Sequence, residues 1–193
     1  PYWFPRAVPA LRQAFPALAL QLVEEKSETL ISQLAAGELD AALLALPVEQ
    51  EGFAHALLFE EAFVAAVPCQ HPLASRASLR EEDLHGQSLL LLAEGHCLRG
   101  QALEICARHG LEESGDYRAT SLETLRNMVG AGAGLTLVPE SAVNDSVENV
   151  RYVPFAPPGP GRAIGLFWRR ASRRGRLFEK MAAVFAGRKP LDG

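Results

Sequence analysis

The chain has 193 residues, 48% hydrophobic and 22% charged, and its 19 lysines and arginines against 23 aspartates and glutamates leave a net charge of −4. This is material for one large domain or two lobes; the acidic balance argues against a surface that grips DNA, and no apolar run approaches the roughly 20 residues of a membrane span. Three cysteines are too few, and odd in number, for a secreted disulfide framework, and they point to a reducing cytosol. No signal peptide is visible, and a start at Pro1 rather than Met reads as a piece of something longer.

In chain order, apolar spacing predicts a helix over Phe4–Phe15, with Pro5 and Pro9 near its first turn. Leu18–Val23 reads as a strand. Ser27 is a good N-cap for a helix Glu28–Ala36 closed by Gly37. Leu39–Leu46, ending at Pro47, reads as a strand buried on both faces. Strand, helix and strand with short links imply a right-handed βαβ unit. Two further strands are expected at Phe53–Phe59 and Phe63–Val67, and Ser78-Leu79-Arg80-Glu81 reads as a capping box opening a short helix.

The second half alternates as well. Ser88–Leu92 is a buried strand, and a helix from Cys97 ends near Gly110. Asp116–Thr120 is a strand, and Ser121 caps a helix to about Val129 that Gly130, Gly132 and Gly134 break. Leu135–Val138 and Val150–Phe155 are strands. Pro157-Pro158-Gly159-Pro160-Gly161 is the strongest linker, followed by a strand Ala163–Trp168 and a helix Ser172–Phe185. The fold class is α/β in two Rossmann-like lobes. The last strand and helix lack partners of their own and complete the first lobe, so the chain crosses twice: 1–61 with 165–193 form one lobe, 62–164 the other.

Two of the three cysteines lie nine positions apart, Cys97 and Cys106. In an unbroken helix, nine steps of about 100° set them on opposite faces, roughly 13 Å apart along the axis. A disulfide needs α-carbons within about 7 Å. Such thiols are either unrelated or a switch whose closure takes the helix apart. Cys97 opens its helix beside His96 and Arg99, a setting that favours the reactive thiolate; the alternative is a small buried hydrophobe. Cys106, on the apolar face, reads as core. Gly100, mid-helix, costs about 1 kcal/mol relative to alanine and makes unwinding easier.

Over its whole length the chain resembles the effector-binding domain of LysR-type transcriptional regulators. The residues that carry this are Leu34-Ala35-Ala36-Gly37-Glu38-Leu39-Asp40, His71-Pro72-Leu73-Ala74, and the run from Val129 to Pro139. A sharper signature resembles the peroxide-sensing members: Gly95-His96-Cys97-Leu98-Arg99, Gln101, Cys106, and Arg118 to Val129. The resemblance implies a two-lobed, periplasmic-binding-protein-like fold. It implies that a winged helix-turn-helix and linker helix precede this chain, and that Cys97 reacts with hydrogen peroxide and forms a disulfide with Cys106. It further implies transcriptional switching through a homodimer or homotetramer, with DNA and RNA polymerase as partners, glutaredoxin or thioredoxin as reductant, and no role as an enzyme. One departure stands out: an acidic residue is usual where this chain has Gly100.

Other residues read in two ways. His96 polarises peroxide or caps the helix. Arg99 supports the thiolate or pairs with Glu94. Arg162 by family position approaches Cys97 from the lobe crossing. Ser27, at a helix N-terminus, faces the interlobe cleft or caps the helix, and Thr120 and Ser121 belong to the same cleft. Cys69 reads as incidental, and Cys69, His71, Cys106 and His109 fall short of any standard zinc spacing. No cofactor or metal is expected. The arginines Arg169, Arg170, Arg173, Arg174 and Arg176 touch DNA phosphates or form a solvated face. Rival readings are a LysR-type domain for an organic effector, which needs no paired cysteines, and a thiol peroxidase, which turns over.

Overall fold

The computed structural model describes residues 3–95, 97–109, 112–144 and 146–186, with the backbone alone for Arg6, His109 and 112–118. Its elements are helices α1 (Phe4–Ala14) and α2 (Ser27–Ala36), strands β1 (Ala41–Ala45), β2 (Phe53–Pro68) and β3 (Ser88–Leu92), and helix α3 (Cys97–His109). Strand β4 (Glu112–Ala119), helix α4 (Leu122–Gly130), strands β5 (Thr136–Pro139), β6 (Val150–Pro154) and β7 (Gly161–Arg169) and helix α5 (Gly175–Ala186) follow. The chain divides into two compact units, Pro1–Glu61 with Arg162–Gly193, and Ala62–Gly161.

In the first unit, β7 lies between β1 and β2. It pairs antiparallel with β1 from Ala41↔Trp168 to Ala45↔Ile164. The two-residue period of a strand sorts its side chains. Leu166 and Trp168 join Leu58 and Phe59 under α1 and α5, where the Trp3 ring packs tilted against Phe59 and Phe185, with centroids 5.3 and 4.7 Å away. Phe167 turns the other way, with Ala42 and Leu44, to meet Leu34 of α2. Helices therefore cover both faces of this sheet.

In the second unit, the end of β2 pairs antiparallel with β5 on one side and β6 on the other. Strands β3 and β4 run parallel, with Leu92 opposite Ala119. A bridge between Leu89 and Leu135 and a 2.8 Å hydrogen bond from Thr136 Oγ1 to the Leu90 carbonyl tie β3 to β5. Gly134 permits that approach: a Cβ there would stand 3.0 Å from the Ser88 carbonyl oxygen. Leu89, Leu90, Ile105, Leu125, Leu135 and Leu137 make the core.

Several expectations are corrected. Leu18–Val23 is not a strand. Leu18 and Leu20 anchor on the aromatic core, whereas Leu22 and Val23 are exposed. The expected βαβ unit is absent, because β1 takes antiparallel β7 as its neighbour. Strand β1 buries Ala42 and Leu44 fully but its alternate residues only in part. The two strands expected around Glu60-Glu61 are one, β2, which carries Glu61 into the interior because Arg162 meets it there. The short 3-10 turn Glu81–Leu84 is held by Asp83, whose Oδ2 accepts from Arg80 N at 2.7 Å, so the expected box on Ser78 does not form.

The C-terminal arginines work inside the fold. Arg169 donates through Nη1 to the carbonyls of Leu34 and Leu39, the latter at 2.7 Å, closing the end of α2, where the last carbonyls have no helical partner. Arg170 donates to the Phe53 carbonyl at 3.2 Å, and Arg174 pairs with Asp40 at 2.9 Å. Three of the five are thus committed to internal partners. Replacing Arg169 with alanine is expected to cost about 2 kcal/mol, the scale of a charge-assisted hydrogen bond, in urea unfolding; a loss below about 0.5 kcal/mol would place this contact among the weak surface ones.

Candidate functional site

Strand β3 ends in four buried leucines, Leu89 to Leu92, and its exit leads to the reactive-cysteine candidate. Ala93 N still bonds the Ala119 carbonyl at 2.8 Å, and Gly95 then turns the chain at φ +87°, a conformation glycine adopts without a Cβ penalty. His96 lies outside the described residues. Cys97 is the first residue of α3. Since β3 and β4 are parallel, the exits toward Cys97 and toward Thr120-Ser121 leave the same end of the strand pair. In open α/β sheets that carboxyl end is where ligands bind.

Helix α3 runs unbroken through both cysteines. Leu98, Ala102, Ile105 and Cys106 form one stripe at helical spacing, all buried, with Cys106 5% exposed. Cys97 lies off that stripe, half a turn from Cys106, and is exposed; neither cysteine is in a disulfide. Over nine residues the helix separates them by roughly 13 Å along its axis. Burial thus assigns different access: an oxidant in solvent reaches Cys97 and not Cys106.

Gly100 is exposed, and a Cβ there would meet nothing within 4 Å. Packing therefore does not require glycine, and its effect is on helix stability alone. Gln101 carries more than its place in the signature suggested. It stands four residues past Cys97, hence on the same helix face, and its Oε1 is buried with no hydrogen-bond partner among the described residues. An i, i+4 inspection of the sequence could have singled it out.

The remaining expected residues divide. Arg99 donates through Nη1 to the Leu92 carbonyl at 3.1 Å. Ser121 caps α4: its Oγ accepts from Thr124 N at 3.1 Å and shares a 3.0 Å bond with Thr124 Oγ1. Thr120, beside it, is exposed. Ser27 is half-buried as the first residue of α2, with Lys26 at the cap position, so its expected capping bond is not made. Arg162 directs Nε and Nη2 to Glu61 Oε1 at 2.7 and 2.6 Å, with both side chains largely buried. Ser27 and Arg162 belong to the first unit, and the cysteines, Arg99, Thr120 and Ser121 to the second.

Cys69 is exposed. His71 is held in place: Nδ1 accepts from Leu73 N at 3.2 Å and Nε2 bonds Gln87 Oε1 at 3.1 Å. Among the described residues no group of three or more His, Cys, Asp or Glu is placed to hold a metal ion, and no helix is long and apolar enough to cross a membrane.

The model of the LysR substrate binding domain matches residues 1–189. The chain is 43% identical over 195 residues to the DNA-binding transcriptional dual regulator OxyR of Escherichia coli K12, covering 100% of this chain and 63% of that protein. It is 42% identical over 197 residues to the hydrogen peroxide-inducible genes activator of Haemophilus influenzae, covering 100% and 65%. Crystal structures of the oxidised and reduced forms of OxyR both match with a TM-score of 0.88, at 42% and 41% identity, covering 100% of this chain and 91% of those chains. This α/β chain, with its periplasmic-binding-protein-like fold, belongs to the LysR substrate-binding domain family.

Proposed function

We propose that the chain is the hydrogen-peroxide-sensing regulatory domain of a LysR-type transcriptional regulator. The observation that carries this reading is one helix bearing an exposed thiol at its first residue and a buried thiol on its opposite face. Likeness to oxidised and reduced OxyR structures supports it.

The Cys97 thiolate attacks one oxygen of hydrogen peroxide. The O–O bond breaks, the second oxygen leaves as hydroxide and takes a proton to become water, and Cys97 carries a sulfenic acid. Cys106 then attacks that sulfur through its own, the S–O bond breaks, and the hydroxyl leaves as a second water. Two thiols and one peroxide give one disulfide and two waters. At the thiolate, the opening turn of α3 favours negative charge. His96 and the Gln101 amide hold and orient the peroxide, and Thr120 and Ser121 line the same strand ends.

The second step needs the helix to open, since its sulfurs cannot meet across it. That opening makes α3 a two-state element whose change reaches the rest of the regulator. A homodimer or homotetramer then alters its grip on DNA, through the winged helix-turn-helix that precedes this chain, and its contact with RNA polymerase. A cytoplasmic dithiol reductant, glutaredoxin or thioredoxin, restores the thiols.

One equivalent of peroxide added to the reduced chain is expected to give a Cys97–Cys106 disulfide by mass spectrometry. Cys97→Ser is expected to abolish it, and Cys106→Ser to stop at a sulfenic acid. No such bridge sinks the proposal, and sustained peroxide consumption with reductant points to a peroxidase instead. Gly100→Ala, which fits without a clash, is expected to slow disulfide closure about fivefold, the factor for about 1 kcal/mol of helix propensity. Gly100→Asp is expected to slow it as well. An unchanged or faster closure in both variants would remove Gly100 from the account.

A further inference from the structure

Helix α3 is fastened differently at its two ends. At its far end Cys106 and Ile105 are buried in the core, and Arg108 ties to Glu81 of the neighbouring 3-10 turn at 3.5 Å. At its near end Cys97 is exposed, and Gly100 has open space around it. A polar tie there is made by Arg99, whose half-buried guanidinium reaches back seven residues to the Leu92 carbonyl, at the end of β3. That contact closes the strand-to-helix connection into a loop. When the two sulfurs approach, the far end gives up core packing if it moves, whereas the near end gives up Leu98 and the Arg99 contact. The near end is therefore the part that travels.

We infer that Arg99 is a latch on the resolving step: its hydrogen bond to the Leu92 carbonyl holds the first turn of α3 closed, and it must break before Cys97 can reach Cys106. This rests on the peroxide-sensing reading above. Arg99 is a positioning residue and acts through the helix, not on the peroxide. Its bond is present in the dithiol state and lost in the disulfide state. Removing it raises the population of the opened turn without changing the attack of Cys97 on peroxide. The latch thereby sets the lifetime of the sulfenic acid. A longer lifetime gives a second hydrogen peroxide time to convert S–OH to the sulfinic acid, releasing water, in place of disulfide formation.

The test separates two rate constants in this chain. Sulfenic acid formation is measured by dimedone capture in a Cys106→Ser background, and disulfide closure by rapid quench and intact mass with Cys106 present. Arg99→Met is expected to speed closure about tenfold, the scale of one charge-assisted hydrogen bond, while sulfenic acid formation stays within about twofold. Arg99→Lys, which keeps the charge and a donor, is expected to fall between Arg99→Met and the parent. Hydrogen exchange of the reduced protein supplies a readout free of the chemistry: amides 101–103 are expected to exchange faster in Arg99→Met, with those of 106–108 unchanged. Slower sulfenic acid formation in both variants would make Arg99 a partner of the thiolate and overturn the latch. So would closure that is unchanged or slower in Arg99→Met. If the parent chain itself forms no Cys97–Cys106 bridge, the sensing reading fails in that arm, before any variant is compared, and the latch falls with it.

Discussion

An intact α-helix cannot bring its first and tenth residues together, and this constraint organises the second unit. The buried stripe of α3 keeps the helix formed against β3, and the helix keeps two thiols apart. Stability and reactivity therefore oppose each other within thirteen residues. On the peroxide-sensing reading, a perfectly stable α3 would leave Cys97 to oxidise alone, and a frayed one would let the thiols pair whenever any oxidant appeared. The balance is struck by a well-packed far end, a lightly fastened near end, and a glycine between them. On the sensing reading burial also sets the order of events, because of the two α3 thiols Cys97 is the exposed one.

Much of this was legible in residue order. Strand β3, the helix between the cysteines, the capping of α4 by Ser121 and the final strand all follow from local spacing and cap chemistry. What local spacing does not contain is the partner. Leu18–Val23 has a strand's composition, yet β7, more than a hundred residues away, holds the position beside β1. Glu60-Glu61 looks like a break until Arg162 is known to stand opposite. Removing one member of so buried a pair takes away a close opposite charge, so the burial of Glu61 midway along β2 is supported by a residue 101 positions later.

The candidate site divides along the same line. The separation of Cys97 and Cys106 on one unbroken helix was readable because helix geometry relates them directly. The bond from Arg99 to the Leu92 carbonyl was not: residue order offers Glu94 and Cys97 as its neighbours, and that contact comes only with the fold. The C-terminal arginines show the same limit, since a cluster that reads as a solvated or phosphate-touching face gives Arg169 and Arg170 to backbone carbonyls, while Arg174 pairs with Asp40 at the surface. Gln101 sat in plain view one turn from Cys97, but its significance lies in a buried oxygen with no hydrogen-bond partner among the described residues.

The division of the chain into a discontinuous and a continuous unit also sets an order of assembly. Residues 62–161 form one uninterrupted segment, whereas the first unit needs Pro1–Glu61 together with Arg162–Gly193. Its central strand, β7, leaves the ribosome after every residue of the other unit, and synthesis at about 5–20 residues per second makes that a wait of several seconds. The unit that carries the thiols can therefore be complete, with Cys97 already exposed and Cys106 buried, while the segment Pro1–Glu61 is still without its sheet.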